Sequence, residues 1–190
     1  RCLFLYEEID GEITGVFYSR NNKRFNAPEW FLKSMPPYNL LKDKILDGEL
    51  WAGRDNFQLM GTVRKKNPIS EEWANIQYQV YDITNIDEIF VKRLKSLQKI
   101  VEFTQKSHKI KMKSNKLLMN CPLVFAKQIK ITSEKVMKEY YNNIIQNMGE
   151  GIMIKDPSSP YEGKRSKYLL KYKPSFDEEA IIIDYKLGNG

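Results

Sequence analysis

A chain of 190 residues, 42% hydrophobic and 29% charged, is long enough for one domain with a substantial core, or for two small lobes, and has an ordinary soluble composition. No apolar run approaches the length that spans a membrane and no secretory signal pattern is visible, so no membrane partner is expected. The net charge of +7 and pI near 9.2 favour a polyanionic partner, while a lone histidine and two cysteines exclude a zinc site and nearly exclude histidine acid–base chemistry.

Cys2 to Glu7 is a nearly continuous apolar run and predicts a buried strand. Asp10-Gly11 is a hairpin signal, and Glu12 to Ser19 is the return strand. Ser19-Arg20-Asn21-Asn22-Lys23 reads as a polar turn carrying cations. Asn26-Ala27-Pro28-Glu29-Trp30-Phe31 opens a helix, with Asn26 as cap and Pro28 in the first turn, and Pro36-Pro37 closes it. Lys44 to Trp51 predicts a strand on which Asp47 and Glu49, two apart, share a face. Phe57 to Arg64 reads as a short helix and Ile76 to Ile83 as a strand carrying Tyr78, Tyr81 and Asp82.

The best helical periodicity runs from Ile86 to Gln105, with Ile89, Leu94, Leu97, Ile100, Val101 and Phe103 as the apolar face. Ser107 to Lys116 is basic and polar, a loop or short strand, and puts His108 in solvent. Leu123 to Ile131 is strand-like. Thr132-Ser133-Glu134 caps a second amphipathic helix, with Val136, Tyr140, Ile144 and Ile145 inward and Gly149 as its end. Many short strands with a few helices, without regular alternation, predict an antiparallel α+β fold. Cys2 and Cys121 both sit beside apolar residues and read as buried free thiols of an intracellular, reducing compartment.

Two late stretches hold charges inside apolar strands. Glu150 opens one and Lys155 ends it; Lys171 and Lys173, two apart in the next, point to one face. Desolvation costs several kcal/mol per ion, so such charges need partners. A carboxylate and a lysine pair aimed into one cleft suit a metal ion bound to a phosphate, although ordinary edge charges would give the same spacing.

In order, the chain presents Ser19-Arg20-Asn21, Leu46-Asp47-Gly48-Glu49-Leu50, Tyr78 to Asp82, Glu150 to Lys155 and Leu169 to Pro174. This order resembles the covalent nucleotidyltransferases, which are the ATP-dependent polynucleotide ligases and RNA capping enzymes, and is closest to small ATP-dependent DNA ligases. Phe25 to Phe31 and Ser159-Pro160-Tyr161-Glu162-Gly163-Lys164-Arg165-Ser166 look like that subgroup too. The resemblance implies an α+β adenylation domain over residues 1–184, with antiparallel sheets flanked by helices, and a hinge beginning at 185–190 that leads to an oligonucleotide-binding barrel outside the chain. It implies a monomer that uses ATP, passes AMP through a lysine, and seals nicked duplex DNA. Nucleus, mitochondrion, bacterial cytoplasm and viral factory all fit.

The same resemblance assigns roles. Lys171 and Lys173 would contact the α-phosphate. Glu150 would bind the catalytic metal, Mg²⁺ or Mn²⁺. Glu49 would serve the metal or the ribose with Asp47 in support, and Tyr81 would stack on adenine. Arg20, with Asn21, would grip the nick 5′-phosphate. Arg165 would contact phosphate. Each has a plainer competitor: Tyr81 as a core aromatic, Asp47 and Glu49 beside a surface turn, Arg20 as a solvated hairpin residue.

The family's Lys-x-Asp-Gly-x-Arg motif does not occur, since Glu8 stands where Asp10-Gly11 would need the lysine. Arg1 precedes the first strand, where the motif's final arginine belongs, and is read as a ribose contact, with the nucleophilic lysine upstream of it. An RNA ligase or a capping guanylyltransferase shares the core strands, and a non-catalytic basic nucleic-acid-binding module fits the charge. The lysine assignment predicts that these 190 residues, incubated with labelled ATP and Mg²⁺, acquire no covalent label, whereas the parent protein does. A labelled 190-residue chain would sink that assignment.

Overall fold

In a computed structural model, which describes residues 1–111, 120–175, 181 and 183–186, the first apolar run forms β1 (Cys2–Ile9) and turns back into β2 (Glu12–Ser19). Asp10 and Gly11 take φ +52° and +82°, the left-handed pair that a two-residue hairpin turn uses. Then follow β3 (Arg24–Phe25), α1 (Glu29–Lys33), α2 (Tyr38–Leu41), β4 (Ile45–Trp51), a 3₁₀ helix (Phe57–Arg64) and α3 (Ser70–Trp73). The remaining elements are β5 (Gln77–Thr84), α4 (Phe90–Lys111), β6 (Leu123–Phe125), α5 (Glu134–Gln146), β7 (Ile152–Lys155) and β8 (Leu169–Tyr172). One sheet runs β3-β2-β1-β4-β5-β6, and β7 pairs antiparallel with β8 in a second. The α+β class is as expected; among the described pairs only β5–β6 is parallel.

The core is aromatic. Phe4 packs on Phe17 at 4.8 Å between ring centroids, Phe17 on Tyr78 at 4.9 Å, and Phe31 on Trp73 at 4.8 Å. All five rings are fully buried, and tilted or edge-on pairs of this kind add about 0.5–1.5 kcal/mol each beyond area burial. Leu97 and Val101 of α4 press on the same core.

Several boundaries differ from the sequence reading. Asn26 does not cap α1; its amide donates to the Lys66 carbonyl, and Pro28 takes the cap position. α4 starts at Phe90, not Ile86, because the N–H groups of Phe90 and Val91 find carbonyl partners on Ser159 and Pro157. α4 also runs through His108, which is half-buried and not in solvent; residues 112–116 of the expected loop lie outside the described residues. Its inner face is Phe90, Arg93, Leu97, Val101 and Thr104, while Ile89 and Phe103 are exposed. β6 stops after three residues. α5 is capped by Ser133, whose Oγ accepts from Val136 N, as its sequence predicts, yet no side chain on it is fully buried. The left-handed residue that ends α5 is Met148, at φ +59°. Gly149 serves by its size, since a Cβ there would lie 2.4 Å from the Ile144 side chain. Of the expected hinge, Tyr185 and Lys186 are exposed, and 187–190 lie outside the described residues.

β4 and β5 are paired with one irregularity. Asp47 opposes Asp82 but Gly48 opposes Val80, so Tyr81 is an extra residue on β5, a bulge. Gly48 makes this close approach possible: a Cβ there would sit 2.5 Å from the Gln79 carbonyl and 2.7 Å from the Tyr78 ring. Gly48→Ala therefore overpacks the bulge, with an expected loss of about 1–3 kcal/mol in urea unfolding. An unchanged midpoint would show that the bulge can relax.

Candidate functional site

The site is built around Asp47 and Asp82, cross-strand partners that are 2% and 1% exposed. Like charges directly opposite on neighbouring strands repel, so both need cations. Asp47 is gripped through both oxygens by Arg1, with Nε donating at 2.9 Å to Oδ1. It also accepts from the Tyr161 hydroxyl at 3.0 Å, and an Arg1 Nη2 donates to that hydroxyl at 3.3 Å. Asp82 is held by a two-pronged contact from Arg93, 2.9 Å from Nε and 3.0 Å from Nη2, and by Lys155 of β7. Its Oδ1 accepts from Ile83 N as well. Arg93 is fully buried and spends Nη1 on the carbonyls of Glu88, at 2.6 Å, and Ser159, at 3.1 Å.

Two aromatic rings complete the cluster. The Arg93 guanidinium lies 5.7 Å from the centroids of both Phe90 and Tyr161, and the Lys155 ammonium lies 4.2 Å from that of Phe90. Tyr81, the bulge residue, donates its hydroxyl to the Gly48 carbonyl at 3.3 Å and is half-buried; burial first, then the charge of Asp47, holds its phenol neutral well above the ordinary range.

The β7–β8 hairpin is less buried than its apolar sequence suggests. Met153, on one face, and Leu170, on the other, are each more than half exposed. Glu150 does not open the strand; it precedes it. Gly151, at φ +147°, breaks the extended run, and a Cβ on it would strike the Tyr172 carbonyl at 2.3 Å. Glu150 and Lys171 come within 3.6 Å of each other, 89% and 53% exposed. Lys173 lies just past the end of β8 and is exposed. Glu49 is exposed on β4, in contrast to buried Asp47. Arg20 and Asn21 sit exposed in a turn closed by Ser19 N to the Lys23 carbonyl, 2.8 Å, with Asn22 at φ +56°. Arg165 is exposed in the loop before β8.

The structure thus joins Arg1, Asp47 and Tyr161 in one cluster and Glu150 with Lys171 in another. Among the described residues no hydrogen bond or ion pair links the two sets, and no group of three His, Cys, Asp or Glu is arranged to hold a metal ion. Sequence reasoning passed over Arg93, Tyr161 as an Asp47 ligand, and Lys155 as a partner of Asp82. The signal for Arg93 was present: it occupies the inward register of α4, in step with Phe90 and Leu97.

Both cysteines are free, and burial pushes the Cys2 thiol up to about 12. Burial, with Asp47 nearby, pushes the Tyr161 phenol up to about 12. The fold favours the protonated form of each, so their contribution is whole below the unfolded values and is lost as pH rises toward 12. Urea midpoints should therefore be level from about pH 7 to 9 and fall between about pH 10 and 12, with a shallower fall in Tyr161→Phe. A midpoint that drops between pH 7 and 9 would contradict this.

Compared with known proteins, residues 9–173 match the family model described as the ATP dependent DNA ligase domain. A DNA ligase of Haemophilus influenzae is 26% identical over 97% of this chain and 62% of its own length. One from Methanobrevibacter smithii is 31% identical over 75% of the chain and 26% of its own length. One from African swine fever virus is 28% identical over 96% and 41%. The chain therefore spans less than two thirds of each of these relatives. A solved structure from work on Lig E DNA ligases superposes with TM-score 0.68 at 23% identity, over 91% of this chain and 58% of that one. A Chlorella virus DNA ligase–adenylate gives 0.62 at 16% identity, over 90% and 57%. These two share the fold. The family match covers most of the chain, and the chain belongs to the ATP-dependent DNA ligase domain family.

Proposed function

We propose that this chain is the adenylation domain of an ATP-dependent DNA ligase, which seals 5′-phosphate/3′-hydroxyl nicks in duplex DNA. A lysine amine attacks the α-phosphorus of ATP and pyrophosphate leaves. The nick 5′-phosphate then displaces the lysine and takes AMP. Finally the 3′-hydroxyl attacks that phosphate and AMP leaves. No Lys-x-Asp-Gly motif lies within the 190 residues, so the nucleophile is assigned to none of them.

The observation that carries this reading is the exposed Glu150–Lys171 pair, 3.6 Å apart and within the matched ligase domain. Lys171 and Lys173 supply cations for an α-phosphate, and they act by charge and position, as phosphoryl transfer requires. Mg²⁺ held with nucleotide phosphates takes one or two carboxylates and keeps its waters. Glu150 fits that donor set, with its carboxylate open to solvent, and Glu49, also exposed, is the second candidate for metal or ribose. Such an ion would offset the charge of the transferring phosphate. Arg1, held by Asp47, would meet the ribose, and Tyr81 would stack on adenine. Arg20 with Asn21 would hold the nick 5′-phosphate, and Arg165 would contact phosphate. The basic net charge suits a DNA partner bound by a monomer.

The test is sealing of a nicked duplex by the full-length protein with ATP and Mg²⁺. Wild type should seal nicked DNA, and Lys171→Ala or Glu150→Ala should lower the rate by about 10²-fold or more, the loss typical of a removed charge-stabilising group. Preference for nicked RNA, or transfer of label from GTP, would move the assignment to an RNA ligase or a capping enzyme. Salt-sensitive DNA binding with no covalent nucleotide, unchanged by Glu150→Ala, would overturn the enzyme reading.

A further inference from the structure

We infer that Arg93 is a positioning residue for nucleotide transfer, acting through Tyr161 on the Arg1–Asp47 pair. The inference rests on the ligase reading and adds to it a group remote from the nucleotide.

Arg93 has few degrees of freedom. Its side chain is fully buried, Nε and Nη2 are fixed on Asp82, and Nη1 is shared by the carbonyls of Glu88 and Ser159. A buried ion pair is weak evidence of stabilisation, since packed apolar side chains often serve as well. What an apolar residue could not do is hold two carbonyls from two separate segments. The Ser159 carbonyl also accepts from Phe90 N at 2.8 Å, so the segment before Tyr161 is stapled to the first turn of α4. Pro157 accepts from Val91 N at 3.0 Å in the same way. Two residues beyond Ser159, Tyr161 lays its ring near the Arg93 guanidinium and gives its hydroxyl to Asp47.

Asp47 is the residue that aims Arg1. Tyr161 completes the shell of Asp47 and touches Arg1 directly at 3.3 Å. A single rigid path therefore runs from Arg93 through the Ser159 carbonyl and Tyr161 to the guanidinium of Arg1. A second runs through Asp82, the cross-strand neighbour of Asp47. Lys155 joins the same hub, so the hairpin that carries Glu150 and Lys171 is anchored to it as well. Half of Arg1 is open to solvent, and Tyr161, with the hub behind it, narrows the freedom that its contacts with Asp47 leave it.

The experiment measures the rate of lysyl-AMP formation against ATP concentration with the full-length protein. Tyr161→Phe keeps the ring and removes one hydroxyl. It should raise KM for ATP about tenfold with kcat little changed, while Tm moves by about 2 °C or less. Arg93→Lys, which keeps the charge and loses the fork, should shift KM the same way. Arg1→Ala combined with Tyr161→Phe should be no worse than Arg1→Ala alone, since both remove one coupled contact. If the Arg93 variant fails to fold, the Tyr161 cycle decides. A wild-type KM in Arg93→Lys or in Tyr161→Phe, or additive losses in the double variant, overturns the inference and leaves the ligase reading intact. Absence of lysyl-AMP on the wild-type protein overturns both.

Discussion

Two aspartates buried opposite each other, Asp47 on β4 and Asp82 on β5, set the terms for the rest of the structure. Two such carboxylates repel across the strands, and each loses its water at a cost of several kcal/mol. The fold answers with cations brought from far along the chain. Arg1 comes from the start of β1, Arg93 from α4 and Lys155 from β7. Each ion pair therefore fixes an element as well as a charge. The docking of α4, the path of residues 156–161 and the anchoring of the β7–β8 hairpin all follow from satisfying two carboxylates.

The same place carries the backbone irregularity. An extra residue on β5 puts Tyr81 where regular pairing would have none, and Gly48 opposite it has no room for a methyl group. Tyr78, one turn of the pleat away, is fully buried and donates to the Leu46 carbonyl at 2.9 Å. Two tyrosines three apart thus have opposite fates. One is core, and the other is aimed by the bulge toward the half-open side of the sheet.

What could be read from the sequence was what local chemistry decides. The β1–β2 hairpin follows from Asp10-Gly11, the α5 cap from Ser133, and the strands from alternation and apolar runs. Glu150, Lys171 and Lys173 were legible as charges set into apolar runs, but the contact between Glu150 and Lys171 was not. Asp47 was legible as important, but its partner was not, since 46 positions separate it from Arg1. Arg93 was hidden for a different reason. Its inward register on α4 was a signal, but sequence patterns count a charged residue on a helix as solvent-facing until its partner, Asp82, eleven residues back and on another element, is known. The Glu150 boundary was missed because a glycine at positive φ, packed against a carbonyl, leaves no mark in hydropathy.

The charges divide by burial in a way that suits the parts proposed for them in phosphoryl transfer. Asp47, Asp82 and Arg93 are shut off from water, so removing the charged partner of one leaves an uncompensated ion and costs several kcal/mol. They are suited to hold shape through a catalytic cycle. The Glu150–Lys171 contact is open to solvent, where such a pair contributes about 0–1 kcal/mol. It can be given up at little cost when a phosphate arrives carrying its own charge and cation. Glu49, Lys173, Arg20 and Arg165 are exposed in the same manner. On the proposed ligase reading, a site that binds ATP, releases pyrophosphate and then accepts a DNA end would need loosely committed charges at its surface. Those charges can be loose only because the ones beneath them are not.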